Sequence, residues 1–175
     1  LLLSKYCKIN KDEYFKEKLR QSIEFIRKEF LNQKELLGSA YDADSDGVEG
    51  KYYVYNFEEI KEIKDINNYF EINPKGNWEN KIILVEKKKP PKEITSKHLE
   101  IRLKRNKPFF DDKTQLDLNC LWISGLISSH EILPDKGYLK LAEYFFSNIE
   151  HQYIKKNIQH SYSKDLVFLE DYAFL

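Results

Sequence analysis

The 175 residues contain no Met, two Cys, five Pro and six Gly, and neither charge is in excess: 29 basic side chains stand against 29 acidic ones. Each shortage excludes something. With zero net charge and a sequence pI near 7.1 there is no global field to draw in a polyanion, and Lys87-Lys88-Lys89 before Pro90-Pro91 is a short loop feature, so nucleic acid is not expected as a partner. No apolar run approaches the roughly 18 residues of a membrane span, and mean hydropathy is −0.66, so no membrane partner is expected either. Cys7 and Cys120 lack C-x-x-C spacing, which argues against a disulfide framework or a zinc site and predicts two buried thiols in a reducing, cytoplasmic setting. There is no Gly-rich phosphate loop, and no cofactor or metal is predicted. The missing Met, with the start Leu1-Leu2-Leu3, reads as a segment of a longer protein.

What is present suits a folded core: 41% of residues are hydrophobic and 14% aromatic. Phe15, Leu19, Ile23, Ile26 and Phe30 recur at spacings of three and four, predicting a helix over about 11–31 with Asn10 as its cap and Glu13 completing a capping box. Leu36 to Tyr41 and the run Lys51-Tyr52-Tyr53-Val54-Tyr55 flank an acidic, Gly-containing turn, which predicts a β-hairpin with a long acidic tip. Asn56 with Glu59 predicts a short helix starting at Phe57. Asn73-Pro74-Lys75-Gly76-Asn77 predicts a turn before the apolar strand Ile82-Ile83-Leu84-Val85. A Lys/Pro linker over 86–93 then precedes a helix over about 95–106, stopped by Pro108.

Residues 115–133 leave little polar face, the mark of a buried helix. Pro134 ends it, and a one-sided helix over about 136–150 follows with Tyr138, Leu141, Ala142, Phe145 and Ile149 on one stripe. A buried helix followed by a one-sided one is an αα-hairpin with an inner and an outer member, the repeating unit of toroids built from concentric helix rings.

Three acidic clusters stand out: Asp42 to Gly50, Asp111-Asp112-Lys113, and Glu170-Asp171-Tyr172. In an up-and-down ring each would fall on an outer-to-inner connection, and all such connections emerge at one end, so the clusters are expected to share the rim of a cavity. Glycoside cleavage would need two of these carboxyl groups across a bond, one of them with a raised pKa. Sugar binding would use carboxylates over aromatic faces such as Tyr41, Tyr52, Trp78 and Tyr172. The plainer alternative is that Asp111, Asp112, Glu170 and Asp171 serve helix N-termini. Asp42, Asp44, Asp46 and Gly47 match half of a calcium loop, but Glu49 and Tyr53 stand where that loop needs an apolar residue and a bidentate Glu. The four His have no metal spacing; His160, shortly before the last cluster, is a candidate acid/base group. Ser124, Ser128 and Ser129 lack a nucleophile elbow and read as packing residues.

The stretch from Ser39 through Asp42-Ala43-Asp44-Ser45-Asp46-Gly47-Val48-Glu49-Gly50 to Tyr53-Val54-Tyr55 resembles the S-x-D-A-D-S-E-G-x-E-G-x-F-Y-V-W signature of the thioredoxin-domain-containing proteins similar to spermatogenesis-associated protein 20. Asn77-Trp78-Glu79-Asn80-Lys81-Ile82-Ile83-Leu84 is similar to that family's G-N-F-E-G-x-N-I-L. Pro108, Asp111-Asp112-Lys113 and Asn119 resemble its R-P-x-x-D-D-K-x-L-x-x-W-N-G-L, and Phe168-Leu169-Glu170-Asp171-Tyr172-Ala173-Phe174-Leu175 resembles its F-L-E-D-Y-A-x-L. Leu118 and Cys120 depart from the family's Trp and Gly, and the stretch from 61 to 76 is short.

The resemblance implies a mainly α fold, a partial (α/α)6 toroid of the six-hairpin glycosidase type with a small β-hairpin insertion, related to N-acylglucosamine 2-epimerases. Residues 1–175 would be a fragment of that one toroid domain, with an N-terminal thioredoxin-like domain as its partner upstream and the remaining helices elsewhere. With the acidic rim, the expected ligand is a carbohydrate-like small molecule, with Asp42, Asp44, Asp111, Asp112, Glu170 and Asp171 as catalytic candidates and Tyr41, Glu49, Lys113, Asn119, His160 and Tyr172 as binding candidates. The alternative is a non-catalytic docking module of a redox protein.

Overall fold

Helix α2 (Glu13–Phe30) begins where a side chain can satisfy its free N–H groups. That side chain is Asp12, whose carboxylate accepts from Tyr14 N at 2.8 Å. Asn10, expected as the cap, instead closes the preceding helix, donating its backbone N–H to Tyr6 O at 2.8 Å. The expected capping box at Asn10 and Glu13 is therefore replaced by an aspartate cap two residues on.

The computed structural model describes residues 1–154, 158–161 and 166–175. In chain order its elements are α1 (Leu2–Ile9), α2 (Glu13–Phe30), β1 (Gly38–Tyr41), β2 (Asp44–Ser45), β3 (Val48–Glu49), α3 (Phe57–Ile60), β4 (Phe70–Glu71), β5 (Val85–Glu86), α4 (Lys92–Leu103), β6 (Phe110–Thr114), α5 (Leu116–His130), α6 (Tyr138–Ile149) and α7 (Leu169–Phe174). The chain is mainly helical with small antiparallel sheets, and it divides into two compact units: Leu1–Ala40 with Asp111–Leu175, and Tyr41–Phe110.

The first unit is built around α5, which packs against α1, α6 and α7. Its core joins Cys7, Leu19, Ile23, Leu36, Leu37, Leu116, Cys120, Trp122, Leu126, Phe145 and Ile149, each large aliphatic or aromatic side chain contributing about 1.5–3 kcal/mol by burial. The two helices expected over 115–133 and 136–150 are present as α5 and α6, which pack on each other and are joined through a 3₁₀ turn at Pro134–Lys136 and Gly137 at φ 71°. Yet α5 is not covered all round: Leu118 and Ile127 remain 39% and 45% exposed. Asn119, fully buried near its start, accepts from Leu37 N at 2.8 Å and donates to Leu37 O and Gln115 O at 3.1 and 2.9 Å. One amide thereby ties the approach to β1 onto α5 with its main donors and acceptor satisfied.

The predicted hairpin from Leu36 to Tyr55 is not formed. Strand β1 pairs with β6, and what remains of a hairpin is β2 with β3, Asp44 opposite Glu49 and Ser45 opposite Val48. Asp46 and Gly47 turn between them at φ 52° and 72°, the double left-handed geometry that suits a two-residue hairpin loop.

The second unit has its own core of Tyr55, Ile60, Ile63, Ile66, Phe70, Ile82 and Ile94. Tyr55 and Ile82 exchange backbone hydrogen bonds of 2.9 and 2.7 Å, which gives the apolar run 82–85 its place. β4 and β5 form a second antiparallel pair. The capping box expected at Asn56 is present, with Asn56 N donating to Glu59 Oε2 at 2.6 Å. Helix α4 begins at Lys92, directly after Pro90-Pro91, so the linker is shorter than expected. No helix among the described residues is long and apolar enough to cross a membrane.

Candidate functional site

Gln115 precedes α5, Asp117 lies in its first turn, and Asp171 lies in the first turn of α7. The segment carrying His160 is held between them by the backbone: Leu116 N donates to His160 O at 2.9 Å, and His160 N donates to Leu166 O at 2.8 Å. An isolated bridge between Gln115 and Ser161 continues that contact. The imidazole is thus placed by main-chain bonds on both sides, before its side chain makes any contact.

The ring's surroundings then fix its orientation. His160 Nδ1 is 2.9 Å from Asp171 Oδ1 and 4.0 Å from Asp117 Oδ1, and the ring meets Phe168 edge-on with centroids 4.7 Å apart. Asp171 is fully buried, and its second oxygen accepts from Phe168 N at 2.8 Å. The amide nitrogen of Gln115 beside Nε2 can only donate, so Nε2 presents its lone pair and Nδ1 carries the proton towards Asp171. Gln115 Nε2, 3.0 Å away, donates to that lone pair.

Beside this group is a cavity of about 290 Å³ lined by Ser39, Asp111, Lys113, Gln115, His160, Ser161, Leu166 and Phe168. Asp111 sits in strand β6 rather than at a helix start, which removes the helix-cap explanation for it and for Asp112. Its Oδ1 accepts from Lys113 N at 3.2 Å and its Oδ2 is 3.3 Å from Lys113 Nζ. The Lys113 backbone N–H, ahead of its ammonium, holds the Asp111 carboxyl below the usual carboxylate range. Asp111 is therefore an ionised anchor for donors, not a proton donor, and it is the one carboxylate among the described lining residues.

Of the residues singled out from the sequence, the structure brings Asp111, Lys113 and His160 to one cavity and Asp171 behind His160. Asp112 is exposed, with its backbone carbonyl accepting from Asn32 Nδ2. Glu170 and Tyr172 are exposed beside buried Asp171. Asn119 is buried and committed to Leu37 and Gln115. Tyr41, Asp42, Asp44 and Glu49 belong to the other unit: Tyr41 stacks at 4.9 Å on Phe110, Asp42 accepts from Asp44 N at 3.3 Å, and Asp44 and Glu49 are exposed on the small hairpin.

Asp117, Gln115 and Ser161 were not singled out from the sequence. The available signal for Asp117 was a lone acidic residue in the first turn of an otherwise apolar helix. His160, Asp117 and Asp171 each offer one ligand atom, all within 4.8 Å of one another, a set able to hold a divalent metal. Such an ion would have to take the place of the proton shared between Nδ1 and Asp171. Comparison with known proteins finds no matching family model and no match among curated proteins.

Proposed function

We propose that the chain is part of a glycosidase- or epimerase-like helical toroid and that its 290 Å³ cavity takes a carbohydrate-like ligand, with His160 as acid/base group. The observation that carries this reading is the Asp171–His160 pair, which leaves Nε2 directed away from the carboxylates and next to the cavity-lining Gln115. A buried carboxylate behind an imidazole fixes its tautomer and stabilises the imidazolium formed when Nε2 takes up a proton. A ligand hydroxyl or acidic C–H displaces Gln115 from Nε2, loses its proton there, and later regains it. Asp111 and Ser39 accept hydrogen bonds from ligand hydroxyls, and Lys113 donates one. The pairing of α5 with α6 and the uncovered Leu118 and Ile127 support the toroid arrangement.

Two-carboxylate glycoside cleavage is the less favoured chemistry, since it needs a second carboxyl group across the cavity and Asp111 is the one carboxylate among the described lining residues. One observation favours the alternative of a non-catalytic docking module: both ring nitrogens of His160 already have protein partners, Asp171 and Gln115.

The test is a panel of sugars, amino sugars and sugar phosphates, read by thermal shift and by solvent deuterium appearing at the carbon beside the ligand's carbonyl. Stabilisation that is lost in Asp111→Asn, with deuterium incorporation lost in His160→Gln, is the expected result. No stabilisation by any member of the panel would overturn the ligand-binding reading and leave the docking module. Stabilisation without exchange would leave a binding site and remove the acid/base role.

A further inference from the structure

The 41–110 unit has a cavity of its own, about 450 Å³, in which an indole, three acids and three cations meet. Its lining includes Trp78, Glu49, Glu59, Glu79, Lys51, Lys81 and Arg105. A second hollow of about 330 Å³ shares Glu49, Val54 and Trp78 with it, so these three residues lie between two concave surfaces. Trp78 is packed closely there: a Cβ added at Gly50, whose φ is 68°, would lie 3.2 Å from the six-membered ring of the indole.

With Asp46, outside the lining, paired to Lys51, the three acids and three cations of the lining leave one negative charge in excess. Lys51 Nζ is 2.8 Å from Asp46 Oδ2. Arg105 pairs with Glu59 at 3.0 Å and donates to the carbonyls of Lys51, Tyr52 and Val54. Lys81 Nζ donates to Asn56 Oδ1 at 2.6 Å. Lys51 and Arg105 are thus paired with carboxylates, while Lys81 is held by a neutral amide and keeps its charge. The side chains of Glu49 and Glu79, both exposed, have no hydrogen-bond or ion-pair partner among the described residues. Glu79 follows Trp78 directly and stands in a tight turn closed by mutual backbone bonds of Trp78 and Lys81, at φ 45° with Asn80 at φ 61°.

We infer that this cavity binds a small organic ammonium cation, with Trp78 supplying an aromatic surface and Glu49 and Glu79 the countercharge. An aromatic ring attracts a cation through its quadrupole, and a quaternary ammonium, which is weakly hydrated and makes no hydrogen bonds of its own, gains most from this. Two carboxylates without partners add attraction that a neutral molecule of the same shape does not feel. Lys51 and Arg105, paired with Asp46 and Glu59, do not compete for them, and Lys81 offsets one of the two. This inference does not depend on the carbohydrate reading, which concerns residues of the other unit.

The test uses choline as the probe and 3,3-dimethylbutan-1-ol, its uncharged isostere, as the control, on the full chain by calorimetric titration and tryptophan fluorescence. Choline is expected to bind saturably and to perturb the indole signal, with the alcohol weaker by more than tenfold, since one cation–π contact of about 1.4 kcal/mol alone represents about tenfold and the carboxylates add to it. Glu49→Gln with Glu79→Gln, both on exposed side chains and so not expected to disturb folding, weakens choline by a similar factor and leaves the alcohol unchanged. Trp78→Leu abolishes choline binding, and its circular dichroism reports whether the unit is still folded. Equal affinity for the two probes, undiminished choline binding in the double Gln variant, or no saturable binding of choline each overturns the inference.

Discussion

Asp171 faces His160 Nδ1 at 2.9 Å from a position with no solvent exposure, while Glu170, its neighbour in sequence, points to solvent. Two adjacent acids thus have opposite roles. Asp171→Ala leaves the His160 Nδ1–H and the Phe168 N–H without their acceptor, a loss of about 2–4 kcal/mol from two hydrogen bonds to a charged group. Glu170→Ala is expected within about 0.5 kcal/mol of the parent, as for an exposed surface site. Urea unfolding of the two variants beside the parent checks both, and equal stability of the two would remove the anchoring role.

Burial, reinforced by the nearby carboxylates of Asp117 and Asp171, pushes the Cys120 thiol up to about 11, and burial likewise raises Cys7. The thiolate is the reactive form. At pH 8 both thiols are expected to react with iodoacetamide far more slowly in the folded chain than in denaturant, with Cys120 reacting faster once Asp117 is changed to Asn. Rapid labelling of Cys120 in the native protein at pH 8 would contradict its placement.

His98 is half-buried in the second unit, edge-on to Phe70 at 5.4 Å, with the Tyr55 hydroxyl donating to its backbone carbonyl at 2.9 Å. Burial, and secondarily the charge of Arg102, lowers its pKa from the ordinary imidazole value. The unfolded chain therefore takes up this proton first as pH falls. The contribution is fully present above the unfolded value of about 6.5 and is lost as pH drops from there through the lower folded value. The urea midpoint is expected to fall between pH 7.5 and pH 5, and to fall less in His98→Gln; an identical pH profile in that variant would assign the effect elsewhere.

The sequence made the long helices legible because apolar periodicity is a local signal: Leu19 and Ile23 on α2, and Tyr138, Ala142, Phe145 and Ile149 on α6, are buried on the predicted stripes. Strand pairing was not legible in the same way. Ser39 and Asp111, whose strands pair, are 72 positions apart, and a run of β-forming residues carries no label for a partner across such a gap. The tyrosine-rich run Lys51 to Tyr55 therefore suggested the wrong partner, and only Tyr55 bridges, to Ile82. At the candidate site, His160 and Asp171 could be named because one lies close before the other, whereas Asp117 and Gln115 reach them only through the packing of α5 against α7.

Arg105 is the residue on which the second unit's turn after β3 depends. Its guanidinium donates to the carbonyls of Lys51, Tyr52 and Val54 and to Glu59 Oε1, and lies over the Tyr55 ring at 4.8 Å from its centroid. A lysine ammonium has the charge but not the planar fork, and cannot reach three carbonyls and a carboxylate in one geometry. Arg105→Lys is expected to cost about 1–3 kcal/mol, the range for losing charged hydrogen bonds in a half-buried setting. The local consequence is more specific than the global one. Lys51 is exposed and its carbonyl is one of those held, so releasing the turn should speed tryptic cleavage after Lys51 in both Arg105→Lys and Arg105→Ala. Glu59→Gln, which removes the charge of one partner and leaves the three carbonyl bonds, should leave that cleavage rate close to the parent's. Cleavage after Lys51 that is equally slow in all three variants would show that the turn is held by the β2–β3 pair alone.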